Sequence, residues 1–217
     1  MFPIYLLIFV FGLAAGSFVN TCIYRIPSGK SVIRHSSACL SCGRKLTLHD
    51  IVPVFSYIVL KGRCRYCGER ISPRYLLVEL LTAAVFLSLF VKYGFSVAFF
   101  AFCYIMAVLL AVFFIDAAHR IIPDELVIAG LIGGIPLFVY NVFRPMTYIY
   151  GDDMWWTPVA GMFSSSGILF LIALIGGLIY KSDDVMGMGD VKIMAPLGLF
   201  LGWRLCLQAL FISIILA

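Results

Sequence analysis

The sequence has few charged residues. Charged side chains make up 12% of the 217 residues and hydrophobic ones 63%, and the mean hydropathy is +1.05. Because a soluble globular chain carries about 25% charged residues, this scarcity argues strongly against a soluble fold. The chain also has no internal repeat or low-complexity tract, which argues against a repeat protein. It has no glycine-rich fingerprint of the kind that binds a cofactor after a strand.

The apolar residues are gathered into long runs. A bilayer core of about 30 Å requires about 20 apolar residues in each spanning helix. Runs of suitable length lie near residues 3–23, 75–92, 95–115, 125–142, 158–180 and 191–217. They predict an all-α multi-pass membrane protein with six to seven helices. The first run has no basic segment before it, so we expect a retained helix rather than a cleaved signal peptide.

The end of the last run differs from the others. Residues 205–217 are apolar but too few to span a bilayer by themselves. We expect the full-length chain to continue beyond Ala217, and a re-entrant helix is the alternative.

The cationic residues are concentrated in one segment. Ten of the sixteen Lys and Arg lie between Arg25 and Arg74, and short loops rich in these residues stay in the cytoplasm. Counting alternate crossings from this segment predicts loops outside at 93–94 and 141–157, and loops inside at 116–124 and 181–190. The net charge of +5 is thus explained by membrane topology, and we expect no nucleic-acid partner.

The same segment is the only long polar stretch in the sequence. It predicts three parts: a first transmembrane helix at residues 1–24, a small inserted cytoplasmic domain at 25–74, and a transmembrane domain at 75–217. The lipid bilayer is therefore the expected environment of most of the chain.

Four of the seven cysteines form two C-x-x-C pairs inside the inserted segment. They are Cys39, Cys42, Cys64 and Cys67, and a glycine follows each pair. This spacing is typical of a closed, structural four-thiolate zinc site. The alternatives are two disulfides or free thiols, but disulfides rarely persist in the reducing cytoplasm. A domain of about 50 residues buries too little apolar surface to be stable alone, which also favours a metal.

Few carboxylates lie in or next to the apolar runs, and such groups are functional suspects because they are costly to insert. Asp116 and Asp190 both map to the predicted cytoplasmic end of the membrane. Two carboxylates brought together there would share a proton and could activate water, as in an aspartyl protease. Alternatively, Asp190 caps a helix, and Asp116 pairs with His119 or Arg120.

Five other residues accompany this pair. Gly187 and Gly189 allow close backbone approach beside Asp190, which would suit an extended peptide substrate. Asp124 lies where a new helix N-terminus favours an acid, and Glu79 lies inside an apolar run. Lys192 follows Asp190 and could extend its ammonium group toward water.

Five sequence elements occur together in one order. They are Gly16-Ser17-Phe18-Val19-Asn20 running to Tyr24-Arg25-Ile26-Pro27, the paired C-x-x-C, Pro73-Arg74-Tyr75-Leu76 with Val78-Glu79-Leu80, Asp116 followed by Ile122-Pro123-Asp124, and Gly187-Met188-Gly189-Asp190-Val191-Lys192. Over nearly its whole length the chain resembles the bacterial type IV prepilin peptidases. Two departures are Pro196, where alanine is more usual, and an end before the last membrane helix of the family.

The resemblance implies a bacterial inner-membrane protease with eight helices in the full-length chain. It implies cleavage of prepilins or pseudopilins after a glycine, at the cytoplasmic face, with Asp116 and Asp190 as the catalytic pair. Supporting residues would be Gly187, Gly189, Lys192, Asp124 and Glu79. Many members also methylate the new N-terminus with S-adenosylmethionine, although no motif here independently indicates a methyl-donor site.

Four other functions remain open at the level of sequence. One is a protease without methyltransferase activity, and a second is an archaeal-type preflagellin peptidase or another G-x-G-D protease, which generally lacks the zinc domain. A third is a carboxylate-based ion or proton translocator, which needs acids near the bilayer midplane. The last is a zinc-loop adaptor without catalysis, in which the aspartates would be dispensable.

Overall fold

The computed structural model describes residues 2–32, 38–39, 41–180 and 187–216. Within these ranges the secondary structure is helical and includes no strand, as the sequence predicts. The helices are α1 (Phe2–Arg25), α2 (Leu48–Ile51), α3 (Phe55–Val59), α4 (Arg74–Tyr93), α5 (Val97–His119), α6 (Asp124–Phe143), α7 (Thr147–Tyr150), α8 (Thr157–Tyr180) and α9 (Met188–Leu216). The loop predicted at 181–190 falls partly on residues 181–186, which lie outside the described residues, as does Ala217.

Six of these helices are long and apolar enough to cross a membrane: α1, α4, α5, α6, α8 and α9. The prediction of a multi-pass helical membrane protein is therefore confirmed. One boundary differs from the sequence prediction, because α5 continues past Asp116 to His119. Ala117 and Ala118 favour helix, and the helix stops where Arg120 takes a positive φ of 56°.

The described chain divides into two compact units. The first comprises Met1–Phe99 and Met106–His119, and the second comprises Phe100–Ile105 and Arg120–Ala217. The three-part division expected from the sequence stays a prediction.

In the first unit, α1 and α4 pack closely because glycines lie at their crossing. A Cβ atom at Gly12 would lie 2.6 Å from Ala83 Cα, and one at Gly16 would lie 2.7 Å from Glu79 Cα. Two small residues four apart allow two helix backbones to approach in this way. Further along, Asn20 is buried and donates a hydrogen bond of 2.9 Å to the Tyr75 carbonyl oxygen. This bond fixes the first turn of α4 against α1.

In the second unit, α8 and α9 make a similar glycine contact. A Cβ at Gly161 would lie 2.5 Å from the Gly198 carbonyl oxygen, so neither position has room for a side chain. The buried Ser165 hydroxyl lies 3.0 Å from the Met194 carbonyl oxygen and donates across the same interface. Close backbone packing and one interhelical hydrogen bond therefore hold this helix pair.

The helix α9 contains a break at Gly202. Its φ of 72° and ψ of 172° fall in a region that glycine alone occupies readily. The break leaves room for Tyr150 of α7, whose hydroxyl donates a 3.0 Å hydrogen bond to the Leu199 carbonyl. Arg204, just after the break, donates to the Gly151 carbonyl at 3.1 Å. These two bonds therefore hold α7, which lies between α6 and α8, against α9 at the break.

The α1–α4 crossing can be tested with a larger side chain. We expect Gly16→Leu to destabilise the protein by about 1–3 kcal/mol, the usual cost of overpacking a close contact. Ala14→Leu is the matched control, because Ala14 is exposed on the same helix. Resistance to unfolding by sodium dodecyl sulfate in mixed micelles measures the difference. Equal stability of the two variants would contradict the close approach of α1 and α4.

Candidate metal centre and carboxylate sites

The two C-x-x-C segments fold into two similar turns. In the first, the Cys39 N–H donates to the Arg44 carbonyl at 2.9 Å, and in the second the Cys64 N–H donates to the Glu69 carbonyl at 2.8 Å. Each turn closes at its glycine, Gly43 or Gly68, with a φ near +70° (69° and 73°). Glycine is needed there because other residues are strained at positive φ.

The four cysteine sulfurs of these turns come together. All four lie within 4.8 Å of one another, and the Cys39 and Cys67 sulfurs are 3.8 Å apart. In a tetrahedral site with Zn–S bonds of about 2.3 Å, neighbouring sulfurs are about 3.8 Å apart. The cluster therefore fits a zinc ion of the size and geometry predicted from the sequence.

The four sulfurs are not equivalent: desolvation and the neighbouring thiols raise the pKa of Cys67 to about 12, and the metal-binding form is favoured at Cys39. Cys39 Sγ accepts hydrogen bonds from the backbone N–H groups of Cys42 and Ser41, which lower the pKa of its thiol to about 6. The thiolate is the form of cysteine that binds metal. Because protein ligands fill all four positions of a tetrahedral ion, such a site would have no position for a catalytic water.

Asp50 connects the start of α2 to the second C-x-x-C turn and was missed by the sequence analysis. Its carboxylate accepts hydrogen bonds from the Thr47 hydroxyl at 2.8 Å and the Thr47 N–H at 3.0 Å. It also accepts from Arg65 Nε at 2.7 Å and from the Tyr66 hydroxyl at 3.2 Å, both inside the second C-x-x-C. The Asp50 side chain is only 2% exposed.

A signal for Asp50 was present in the sequence. Thr47-Leu48-His49-Asp50 has the spacing of a capping box, in which a Thr and an acid three residues later bond each other's backbone. That pattern marks the start of the short helix α2. It does not reveal the contacts with Arg65 and Tyr66, which come from a separate part of the chain.

Glu79 joins the segment that carries the four cysteines to the helix α4. It is 8% exposed, and its Oε2 accepts a hydrogen bond of 2.8 Å from the Val54 N–H. Val54 has φ 61° and ψ −51°, and the Phe55 N–H donates to the Pro53 carbonyl across it. This is the rare form of γ-turn, which is strained for a β-branched residue. The Glu79 carboxylate therefore accepts the N–H group that the turn directs toward α4.

The two expected catalytic aspartates lie at helix ends, one in each unit. Asp116 is exposed in the last turn of α5, in the first unit. Asp190 is exposed in the first turn of α9, in the second unit, and its N–H donates to the Gly187 carbonyl at 3.0 Å. Their pairing stays a prediction, and so does their catalytic role.

The second unit does bring several expected supporting residues together. The start of α9 packs on the segment before α6, where a Cβ at Gly189 would lie 2.9 Å from Ile122 Cβ. Beside this contact, Lys192 Nζ and Asp124 Oδ1 form an ion pair at 2.8 Å. Lys192 thus pairs with an acid of α6. Its side chain is also exposed, as the sequence leads us to expect.

Comparisons with known proteins agree with these features. One family model, the bacterial peptidase A24 N-terminal domain, matches residues 10–93, and another, the type IV leader peptidase family, matches residues 103–217. Curated relatives named prepilin leader peptidase/N-methyltransferase come from Myxococcus xanthus (32% identical), Bacillus subtilis (31%) and Klebsiella pneumoniae (31%). The matches cover 97%, 97% and 95% of this chain, and 59%, 79% and 89% of those relatives. No solved structure matches the chain.

We expect Asp50→Asn to loosen the four-cysteine cluster. Hydrogen bonds from Thr47, and then from Arg65, lower the pKa of the Asp50 carboxyl to about 2, from an ordinary value of about 3.9. The carboxylate therefore stabilises the folded domain fully above about pH 4, and this contribution is lost as the pH falls toward 2. At neutral pH the four cysteines of the variant should react severalfold faster with a thiol-alkylating reagent. Mass spectrometry of these cysteines measures the rate.

The matched control for this substitution is Glu69→Gln, which removes an exposed carboxylate from the same domain. It should leave the rate of cysteine alkylation unchanged. Equal alkylation rates in the Asp50 and Glu69 variants would show that Asp50 does not hold the second turn in place.

Proposed function

The chain belongs to the type IV leader peptidase family, and on that premise we propose that it is a membrane-embedded aspartic endopeptidase with Asp116 and Asp190 as its catalytic pair. Its substrates would be type IV prepilins or pseudopilins, cut at the cytoplasmic face of the bacterial inner membrane. The named relatives support the reaction, and the positions of the two aspartates at helix ends support the site.

The observation that carries the proposal is the local structure around Asp190. Two glycines precede it at the start of α9, and one of them packs without a side chain against Ile122. The Lys192–Asp124 ion pair joins the starts of α9 and α6 at the same place. An aspartate next to exposed glycine backbone offers an acid beside a surface that an extended peptide can approach.

The proposed reaction needs two carboxyl groups in different protonation states. One carboxylate takes a proton from a water molecule, whose oxygen attacks the carbonyl carbon of the scissile peptide bond. The other carboxyl group gives its proton to the nitrogen of the leaving amine as the C–N bond breaks. One proton shared by the pair supports both roles.

The zinc domain would have a structural role in this scheme. Cys39, Cys42, Cys64 and Cys67 would hold one zinc ion, which would join the two turns of a domain with little apolar core. The contact of Glu79 with Val54 would then hold the domain against α4. Removal of the metal should consequently affect stability more than chemistry.

The membrane orientation follows from charge. The segment at residues 25–74 carries most of the cations and would face the cytoplasm. If each of the six apolar helices crosses the bilayer once, the end of α5 and the start of α9 lie on that same side. Asp116 and Asp190 would then share the cytoplasmic face with the zinc domain.

Methylation of the new N-terminus is a further part of the proposal. It is supported by the relatives' names, prepilin leader peptidase/N-methyltransferase, which imply S-adenosylmethionine as methyl donor. A cleavage reaction run with labelled methyl donor tests it, because label should appear on the cut pilin only.

Metal analysis of the purified protein tests the zinc site. We expect one zinc per chain, because the sulfur geometry fits a tetrahedral ion. Replacement of Cys39 and Cys67 by serine should abolish zinc binding and reduce cleavage only in part. The control replaces Cys22 and Cys103, which lie outside the cluster, and should keep the zinc. The site would be contradicted if the wild type contained almost no zinc and its four cysteines were disulfide-bonded in cell extracts prepared under reducing conditions.

Substitution of the aspartates tests the catalytic pair. Asp116→Asn and Asp190→Asn each keep the side-chain shape but remove the ionisable group. General acid and base roles typically contribute about 100- to 10,000-fold each, so each variant should lose prepilin cleavage by at least the lower figure. The double variant should lose little more, because residues that act as a unit are non-additive. A gel-shift assay of prepilin processing in membranes measures all three.

The matched control for these variants is Asp153→Asn, which removes an exposed acid from the loop between α7 and α8. Its cleavage rate should equal that of the wild type. Cleavage by the wild type should depend on pH with a bell-shaped profile that belongs to the pair. A well-expressed Asp116→Asn or Asp190→Asn variant that cleaves at a near wild-type rate would overturn the assignment and make Asp124 the next candidate.

A further inference from the structure

A second surface of the protein lies on the zinc domain. The short helix α3 presents Phe55, Ile58 and Val59 with 65%, 63% and 57% of their surfaces exposed, and Val52 just before it is 43% exposed. These four residues form the α3 apolar face. Large apolar side chains that are exposed next to one another often mark contact with a membrane or another protein.

The position of α3 along α4 indicates which of these it contacts. Val54, directly before α3, is bonded through its N–H to Glu79, which lies five residues into α4. At a rise of 1.5 Å per residue, this contact is about 7.5 Å along the spanning helix. At the same level Leu77 and Leu80 of α4 are exposed by 53% and 41%. The α3 apolar face therefore begins beside a part of α4 that lipid must cover.

A cationic cavity adjoins this face. It has a volume of about 490 Å³, and it is lined by Tyr57, Lys61, Gly62, Arg63, Arg70, Ile71, Ser72 and Pro73. Three of these residues are cations and none is a carboxylate. Pro73 directly precedes α4, so the cavity lies at the polar end of the spanning helix. That is the level at which lipid headgroups meet water.

We propose that the α3 apolar face and the cationic cavity together bind the membrane surface through an anionic phospholipid. Phe55, Ile58 and Val59 enter the boundary between headgroups and acyl chains, and Lys61, Arg63 and Arg70 bind the phosphate of the headgroup. Charge complementarity supports this occupant. The segment at residues 25–74 has ten cations and two carboxylates, and the cytoplasmic leaflet of a membrane is negatively charged.

Fluorescence quenching by brominated lipid tests the proposal on the full chain. The three native tryptophans, Trp155, Trp156 and Trp203, are replaced by phenylalanine, and Phe55→Trp supplies one probe. The protein is reconstituted in nanodiscs that contain phosphatidylcholine brominated near the carbonyl end of an acyl chain. We expect strong quenching at position 55. Glu69→Trp, at an exposed position just after the second C-x-x-C turn, is the comparison position and should be quenched much less.

The lipid preference tests the cationic cavity. Quenching at position 55 is compared for brominated phosphatidylglycerol and brominated phosphatidylcholine at equal mole fraction, and the anionic lipid should quench more. Lys61→Gln with Arg63→Gln should lower this preference by about fivefold or more, since each cation near an anionic surface contributes about that factor. Arg44→Gln with Lys45→Gln removes the same two charge types outside the cavity and should leave the preference unchanged.

Three results would overturn the proposal. Quenching at position 55 that is no stronger than at position 69 would show that the α3 apolar face does not contact the membrane. An equal preference for anionic lipid in the two double charge variants would show that the cationic cavity does not bind lipid. If the probe at position 55 is shielded from water only after a prepilin is added, this face is a protein-binding surface instead. Unchanged zinc content and cleavage in each tryptophan variant show that it is folded, and Ile58→Trp is the second probe if the variant at position 55 fails this check.

Discussion

Lipid chains offer no hydrogen-bond partners, and this constraint explains the polar contacts within the spanning helices. Asn20 donates to the carbonyl of Tyr75, and Ser165 donates to the carbonyl of Met194. In both cases a buried side chain of one helix bonds the backbone of its neighbour. Such bonds require the helix backbones to lie close together, which is why both crossings have glycines where a side chain would collide with the opposite helix.

Much of the fold and of the metal site could be predicted from the sequence, because both depend on local properties. The length of an apolar run determines whether a helix can span a bilayer, and all six runs form helices long and apolar enough to do so. The two C-x-x-C pairs each fix a short turn, since the glycine after each pair, Gly43 or Gly68, takes the positive φ that the turn needs. The predicted pairing of Asp116 with Asp190 would depend on how separate helices pack, which no local pattern encodes.

Other features could not be predicted, because they result from contacts between segments far apart in the chain. The capping box indicates that Asp50 lies in the first turn of a helix. Its bond to Arg65 depends on how the second C-x-x-C turn packs beside that helix. Val54 is strained at its positive φ, and sequence alone favours no such residue there. Its N–H has a partner in Glu79 because the packing of α4 places a carboxylate beside it. The strain at Val54 and the burial of Glu79 therefore have one common cause.

A metal bound by the four-sulfur cluster would also affect how α1 and α4 associate. Residues 26–73 connect these two helices, and a flexible connection of that length gives them a low effective concentration. A metal that joins Cys39 to Cys67 would shorten the path along the chain between the two helices to residues 26–38 and 68–73. Because effective concentration falls roughly as the 3/2 power of linker length, the shorter connection would raise it about fourfold. A metal outside the bilayer would thereby favour a helix pairing within it.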